Sequence, residues 1–66
     1  MIEVHCYSRP RKAATARAPE MMETFDSLEN GVKGLNRHAK KYRYCELFVD
    51  KQFAASAING KVYVVR

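Results

Sequence analysis

Positively charged side chains are the residues of this chain best suited to bind a ligand. They form two blocks, which contain Arg9, Arg11, Lys12 and Arg17, and then Arg37, Lys40, Lys41 and Arg43. Contacts to phosphate need little more than positive charge, so both blocks are candidate sites for nucleic acid or for an acidic protein surface. A helix dipole explains cations at the end of a helix. Nothing local explains the first block, which is therefore the stronger candidate.

Aromatic side chains form a second candidate site. Alternation along the predicted strands places four of them on the sheet face that a helix would leave open: Tyr7, Tyr44, Phe48 and Tyr63. Rings on an open sheet beside basic residues are typical of proteins that stack the bases of single strands. The same rings also suit a protein interface or the ordinary outer face of amphipathic strands, and these alternatives stay open.

The remaining reactive residue types lack the spacing of a site. Zinc-binding types occur at His5, Cys6, His38 and Cys45. His5 and Cys6 are adjacent on a predicted strand and point to opposite faces, so we expect no metal and no cofactor. His38 could serve as an acid–base group, but no second histidine, paired carboxylate or phosphate-binding loop accompanies it. We therefore predict that the chain is not an enzyme and has no catalytic residues.

The cysteines are too few for a disulfide scaffold. Cys6 and Cys45 both fall in predicted strands, where buried free thiols are common. A disulfide between them requires that these two strands be neighbours in the sheet.

One helix is predicted to organise the fold. Between Asp26 and Arg43, apolar residues recur at intervals of four and three, at Leu28, Val32, Leu35, Ala39 and Tyr42. This spacing predicts a helix over about residues 27–42 with the apolar stripe buried. Asp26 is the predicted N-cap, and Glu29 would complete a capping box.

Two glycines and an ambiguous start complicate this helix. Gly31 and Gly34 lie inside it, and each costs about 1 kcal/mol relative to alanine. They would suit close packing of the helix on a strand. The apolar spacing also extends backwards, so a helix beginning at Pro19 is the alternative to a short strand over residues 20–25.

Strands are predicted on both sides of the helix. Alternation indicates one strand over residues 1–7, and apolar runs after the helix indicate three more, over residues 44–49, 53–58 and 61–66. Asp50-Lys51 and Asn59-Gly60 would join the last three as tight turns. Asn-Gly is the stronger signal, because it favours the type I′ hairpin. Two prolines and four basic residues make residues 9–19 an exposed basic loop.

These elements predict an α+β fold. Residues 1–66 would form a single two-layer domain with one amphipathic helix packed on a small antiparallel sheet, in the order β-(β)-α-β-β-β. The hydrophobic content of 47% favours a folded chain over a disordered one. A domain of 66 residues buries only about 60% of its unfolded surface. Dimerisation would increase the buried surface, so we also expect a homodimer.

Net charge and hydropathy indicate which classes of partner suit this chain. Twelve lysines and arginines against seven acids give a net charge of +5, and the acids concentrate in residues 20–30 between the basic blocks. No apolar run approaches the roughly 20 residues that span a bilayer, so we expect a cytoplasmic chain with no membrane partner.

The function that these features favour is that of a small basic binding module. The leading hypothesis is contact with nucleic acid through the basic loop and the C-terminal end of the helix. The alternative is a small regulator or inhibitor that docks on a partner (host) protein. A nucleic-acid face must exclude the acidic residues 20–30, whereas a protein-docking surface could use both charges.

Overall fold

A computed structural model of the chain describes residues 1–8 and 18–64. The elements, in chain order, are β1 (Ile2–Tyr7), β2 (Met21–Phe25), α1 (Leu28–Ala39), β3 (Tyr44–Val49), β4 (Gln52–Ile58) and β5 (Lys61–Val64). The predicted α+β class is confirmed, because one helix packs on a five-stranded antiparallel sheet. Of the predicted basic loop, residues 9–17 lie outside the described part of the chain.

β1 lies inside the sheet. The strand order is β2-β1-β3-β4-β5, and every neighbouring pair is antiparallel. Residues 20–25 therefore contribute a strand: Ile2 lies opposite Phe25, and Cys6 lies opposite Met21. A helix beginning at Pro19 is ruled out, because this segment uses its backbone groups to extend the sheet beside β1.

Two tight turns build the C-terminal half of the sheet. Asp50 and Lys51 join β3 to β4 with φ angles of 49° and 70°. Asn59 and Gly60 join β4 to β5 with φ angles of 51° and 87°. Positive φ at both central positions is what a type I′ turn requires, so both predicted turns are confirmed.

The helix begins at a different cap from the predicted one. Ser27 is the N-cap: its backbone is extended, and its hydroxyl accepts the Asn30 N–H at 3.2 Å. Asp26 instead accepts a side-chain hydrogen bond from Asn30 Nδ2 at 2.9 Å. The predicted Asp26–Glu29 capping box is wrong, because the chain stays extended through Ser27. The helix also ends earlier than predicted, at Ala39.

The buried face of α1 is rotated from the predicted stripe. Leu35 and Ala39 are 0% and 7% exposed, as predicted. Leu28 and Val32 are 53% and 40% exposed, so their predicted burial is wrong. The face towards the sheet is completed by glycines rather than by these two side chains.

The glycines let the helix approach the sheet closely. A Cβ atom at Gly31 would overlap the side chain of Ile2 and lie 3.2 Å from Leu47 Cδ1. A Cβ atom at Gly34 would overlap the Phe25 ring, at 2.7 Å from Cε2. The backbone of α1 therefore rests on side chains of β1, β2 and β3, and the expected close packing is confirmed.

The two leucines of α1 provide a matched test of this packing. Leu35→Ala should lower the free energy of unfolding by about 2–5 kcal/mol, because it leaves a cavity in the core. Leu28→Ala makes the same change on a half-exposed side chain and should cost clearly less. Urea denaturation of both variants measures the difference. Equal losses would place the two side chains in equivalent environments and contradict the rotated face.

The Asn59-Gly60 turn provides a second test. Gly60 has a φ of +87° and nothing within 4 Å of an added Cβ, so a substitution there meets backbone strain rather than a clash. Gly60→Val should therefore destabilise the protein clearly more than Lys61→Val, because β-branched residues adopt positive φ only at high cost. Thermal melts compare the two variants, and equal melting temperatures would argue against a type I′ turn.

Candidate nucleic-acid interface

Four exposed cations lie at one end of the sheet. Lys40, Lys41 and Arg43 occupy the link from α1 to β3, and Lys61 begins β5. The Asn59 N–H donates to the carbonyl of Arg43 at 2.9 Å, which holds the link against the β4–β5 turn. A shallow surface groove runs along the three cations of the link and reaches the β4–β5 turn; it is lined by Ala39, Lys40, Lys41, Tyr42, Arg43, Asn59 and Gly60. We call Lys40, Lys41, Arg43 and Lys61 the basic end.

The flanks of the first basic block reach the same end of the sheet. Tyr7, the last residue of β1, lies opposite Tyr44, the first residue of β3. The Glu20 N–H donates to the carbonyl of Cys6 at 2.9 Å, and Glu20 Oε2 accepts the Ser8 N–H at 2.7 Å. The predicted site residues of this block, Arg9, Arg11, Lys12 and Arg17, lie outside the described residues. The described elements on either side of this block end and begin at the same end of the sheet, with Tyr7 as the last residue of β1 and Met21 as the first of β2.

The helix dipole accounts for only part of the basic end. Lys40 is the C-cap of α1, and Lys41 follows with its N–H donating to the His38 carbonyl at 2.9 Å. Cations in these positions offset the partial negative charge of the helix terminus. That effect falls off within the last turn. Arg43 and Lys61 lie beyond it, so the helix alone does not require their charges.

Most of the acidic block lies away from the basic end. Asp26 and Glu29 flank the start of α1, and the 12 residues of the helix separate them from its C-terminus by about 18 Å. Glu20 is the exception, and its carboxylate bonds the Ser8 amide.

Arg37 pairs with Glu23, one of the acidic residues in the segment 20–30, and does not belong to the basic end. Its Nη2 lies 3.1 Å from Glu23 Oε1, and the same oxygen lies 2.7 Å from His38 Nε2. The hydrogen bond from His38, and then the charge of Arg37, lower the pKa of Glu23. His38, a candidate acid–base group in the sequence, is therefore held in a hydrogen bond that ties α1 to β2.

The predicted aromatic face is only partly available to a ligand. Register places all four rings on the sheet face opposite α1, as expected. Tyr7 and Tyr44 are 8% and 2% exposed, with ring centroids 5.8 Å apart. Phe48 is half-buried between His5 and Phe53. Tyr63 remains 52% exposed, so it is the predicted ring best placed to meet a base or a partner.

At the centre of this open face, polar side chains form hydrogen bonds and ion pairs with one another. Glu3 is 7% exposed and contacts His5 Nε2 at 3.2 Å and Lys51 Nζ at 3.4 Å. The hydrogen bond from His5 makes the largest contribution to lowering the pKa of Glu3. The Tyr44 hydroxyl donates to Glu46 Oε2 at 2.8 Å. Two carboxylates at the centre make this face a poor surface for a phosphate backbone.

The described residues contain neither a metal-binding cluster nor a membrane-spanning helix. Within residues 1–8 and 18–64, no three His, Cys, Asp or Glu side chains lie close enough together to hold a metal ion. No helix among the described residues is long and apolar enough to cross a membrane.

Comparisons of the chain with protein-family models, with curated proteins and with solved structures find no match. Function is therefore inferred from geometry. Sequence reasoning missed Lys61, which is an isolated charge in the sequence. It begins β5 just after the β4–β5 turn, whose Asn59 bonds the carbonyl of Arg43. Sequence reasoning also missed Glu23 as the partner of Arg37. The Asn-Gly dipeptide before Lys61 did indicate a turn at this point. Which residues lie near that turn depends on the strand order, which the dipeptide does not indicate.

The Glu23 ion pair should make stability depend on pH. Because the pKa of Glu23 is lowered in the folded state, its contribution is present above the unfolded pKa and is lost as pH falls through the folded pKa. Glu23→Gln should therefore be less stable than wild type near pH 6, and the difference should shrink below about pH 4. Urea titrations at each pH measure it. Glu29→Gln, at an exposed helix position, is the control, and an identical profile would remove Glu23 as the source.

Proposed function

We propose that this chain is a small non-enzymatic module that binds nucleic acid through its basic end, with the phosphate backbone as the main contact. The observation that supports this proposal best is the convergence of Lys40, Lys41, Arg43 and Lys61 at one end of the sheet. The flanks of residues 9–17, which hold four further cations, meet the same end.

The distribution of acids supports the same proposal. Asp26 and Glu29 stand at the far end of α1, and Glu23 is paired with Arg37 and His38. A polyanion that approaches the basic end therefore meets mostly cations. Lysine and arginine contacts to phosphate carry no direct base readout, so we expect low sequence preference.

A second candidate function is docking on a partner protein, and the edge of the sheet favours it. β5 is one of the two edge strands of the described sheet, and Tyr63 and Val64 on it are 52% and 70% exposed. Leu28 and Val32 on α1 add exposed apolar surface. An edge strand with apolar side chains suits the addition of a partner strand, as a regulator or inhibitor of another protein would require.

Fluorescence anisotropy with labelled DNA and RNA at several salt concentrations tests the proposal. Each phosphate neutralised on duplex DNA contributes a slope of about −0.9 in log K against log salt. Lys40→Ala/Lys41→Ala should weaken binding and flatten the slope by roughly 2. Lys33→Ala/Lys51→Ala removes the same charge away from the basic end and should leave the slope nearly unchanged.

Two outcomes separate the alternatives. If the wild type binds neither DNA nor RNA at low salt, the nucleic-acid proposal is wrong, and docking on a protein partner replaces it. If both double variants lose affinity equally, net charge rather than the basic end governs binding. A variant with Arg9, Arg11, Lys12 and Arg17 changed to alanine measures the share of the first basic block.

A further inference from the structure

The two cysteines meet the condition for a disulfide that the sequence left open. β1 and β3 are neighbours, and Cys6 lies directly opposite Cys45 in their register. Both thiols are free and 0% exposed. Both lie on the sheet face that packs against α1, in the core cluster with Val4, Leu47 and Ala57.

Hydrogen-bond alternation places this pair at a site where the side chains are closest. The Asp50 N–H donates to the Met1 carbonyl at 2.9 Å, so the pairing of β1 with β3 begins with a hydrogen-bonded position. Hydrogen-bonded and non-hydrogen-bonded pairs alternate along antiparallel strands, which makes Cys6 and Cys45 a non-hydrogen-bonded pair. The Cys6 carbonyl accepts the Glu20 N–H and so points towards β2. It therefore does not bond β3, as expected for a non-hydrogen-bonded pair with Cys45.

The separation at such a position suits a disulfide. Opposite Cα atoms in a non-hydrogen-bonded pair are typically about 4.5 Å apart. Disulfides span Cα separations of about 4.4–6.8 Å. The two strands therefore already hold the cysteines within bonding range.

The thiols also interact electrostatically. A hydrogen bond from Cys6 lowers the pKa of Cys45. The same hydrogen bond, followed by burial, raises the pKa of Cys6. These directions favour Cys45 as the thiol that ionises, and the thiolate is the reactive species in disulfide exchange.

We propose that Cys6 and Cys45 are a site of reversible covalent modification, at which a low-molecular-weight disulfide oxidises the two thiols to a disulfide joining β1 to β3. The Cys45 thiolate attacks one sulfur of the reagent and releases one reagent thiolate. Cys6, after losing its proton, attacks the mixed disulfide at Cys45 Sγ and releases the second. Two protein thiols are oxidised, and one reagent disulfide is reduced to two thiols.

Burial determines how fast the site reacts. Neither sulfur is accessible in the folded state, so exchange proceeds through local opening of α1 from the sheet. The rate should therefore rise with low concentrations of urea. The bond, once formed, closes the chain between residues 6 and 45 and restricts the unfolded state. This site is independent of the proposed contact with nucleic acid.

Oxidised glutathione is the probe for the test. The reduced chain is incubated with it, quenched in acid and measured by mass spectrometry and thermal melting. We expect a monomer lighter by two hydrogen atoms, with no glutathione attached, whose melting temperature is raised by roughly 15 °C. Unchanged thiols, stable glutathione adducts, disulfide-linked dimers or a lowered melting temperature would each overturn the proposal.

A variant with one shifted thiol tests the register itself. Cys45→Ala/Leu47→Cys keeps two thiols on the same strands but moves one by two positions, where diagonal Cα separations reach about 7–8 Å. That variant should carry glutathione adducts instead of an internal disulfide. Circular dichroism checks that it folds. Internal oxidation as fast as that of the wild type would overturn the register argument, and the wild-type mass measurement stands even if the variant is unfolded.

Discussion

The short distance between α1 and the sheet is the constraint on which the rest of the structure depends. Gly31 and Gly34 face Ile2 and Phe25 so closely that a single added carbon atom at either position would overlap them. Close approach brings Leu35 fully into the core. A helix with larger residues at these two positions would stand farther off and uncover the small side chains of β4, Ala55 and Ala57, which are now 4% and 1% exposed.

The strands and turns could be predicted because their signals are local. Alternation in β1, β-branched and aromatic residues in β3, and Asn59-Gly60 each depend on residues close in sequence. The buried face of α1 could not be predicted in full. A hydrophobic pattern counts side chains that are present, whereas here the missing side chains of Gly31 and Gly34 define the contact. Leu28 and Val32 match the pattern but lie on the flank of the helix that remains exposed.

The candidate site shows the same division between local and long-range information. The sequence identifies Lys40, Lys41 and Arg43 as cations near a helix end. It does not show that the β4–β5 turn places Lys61 at the basic end. It also does not show that Arg37 pairs with Glu23 on β2. Both results follow from strand order, which depends on pairing between distant segments. The relation of Cys6 to Cys45 is also a result of register, and spacing alone carries no information about it.

The position of β1 has a consequence for how the chain folds. β3, β4 and β5 form a meander closed by two-residue turns, and such local hairpins form in microseconds. β1 and β3 are far apart in sequence, since Ile2 lies opposite Val49. Adding β1 to the sheet must therefore overcome the entropy of closing a long loop. We therefore expect the N-terminal strand to join a C-terminal hairpin nucleus late, and its insertion to control the folding rate.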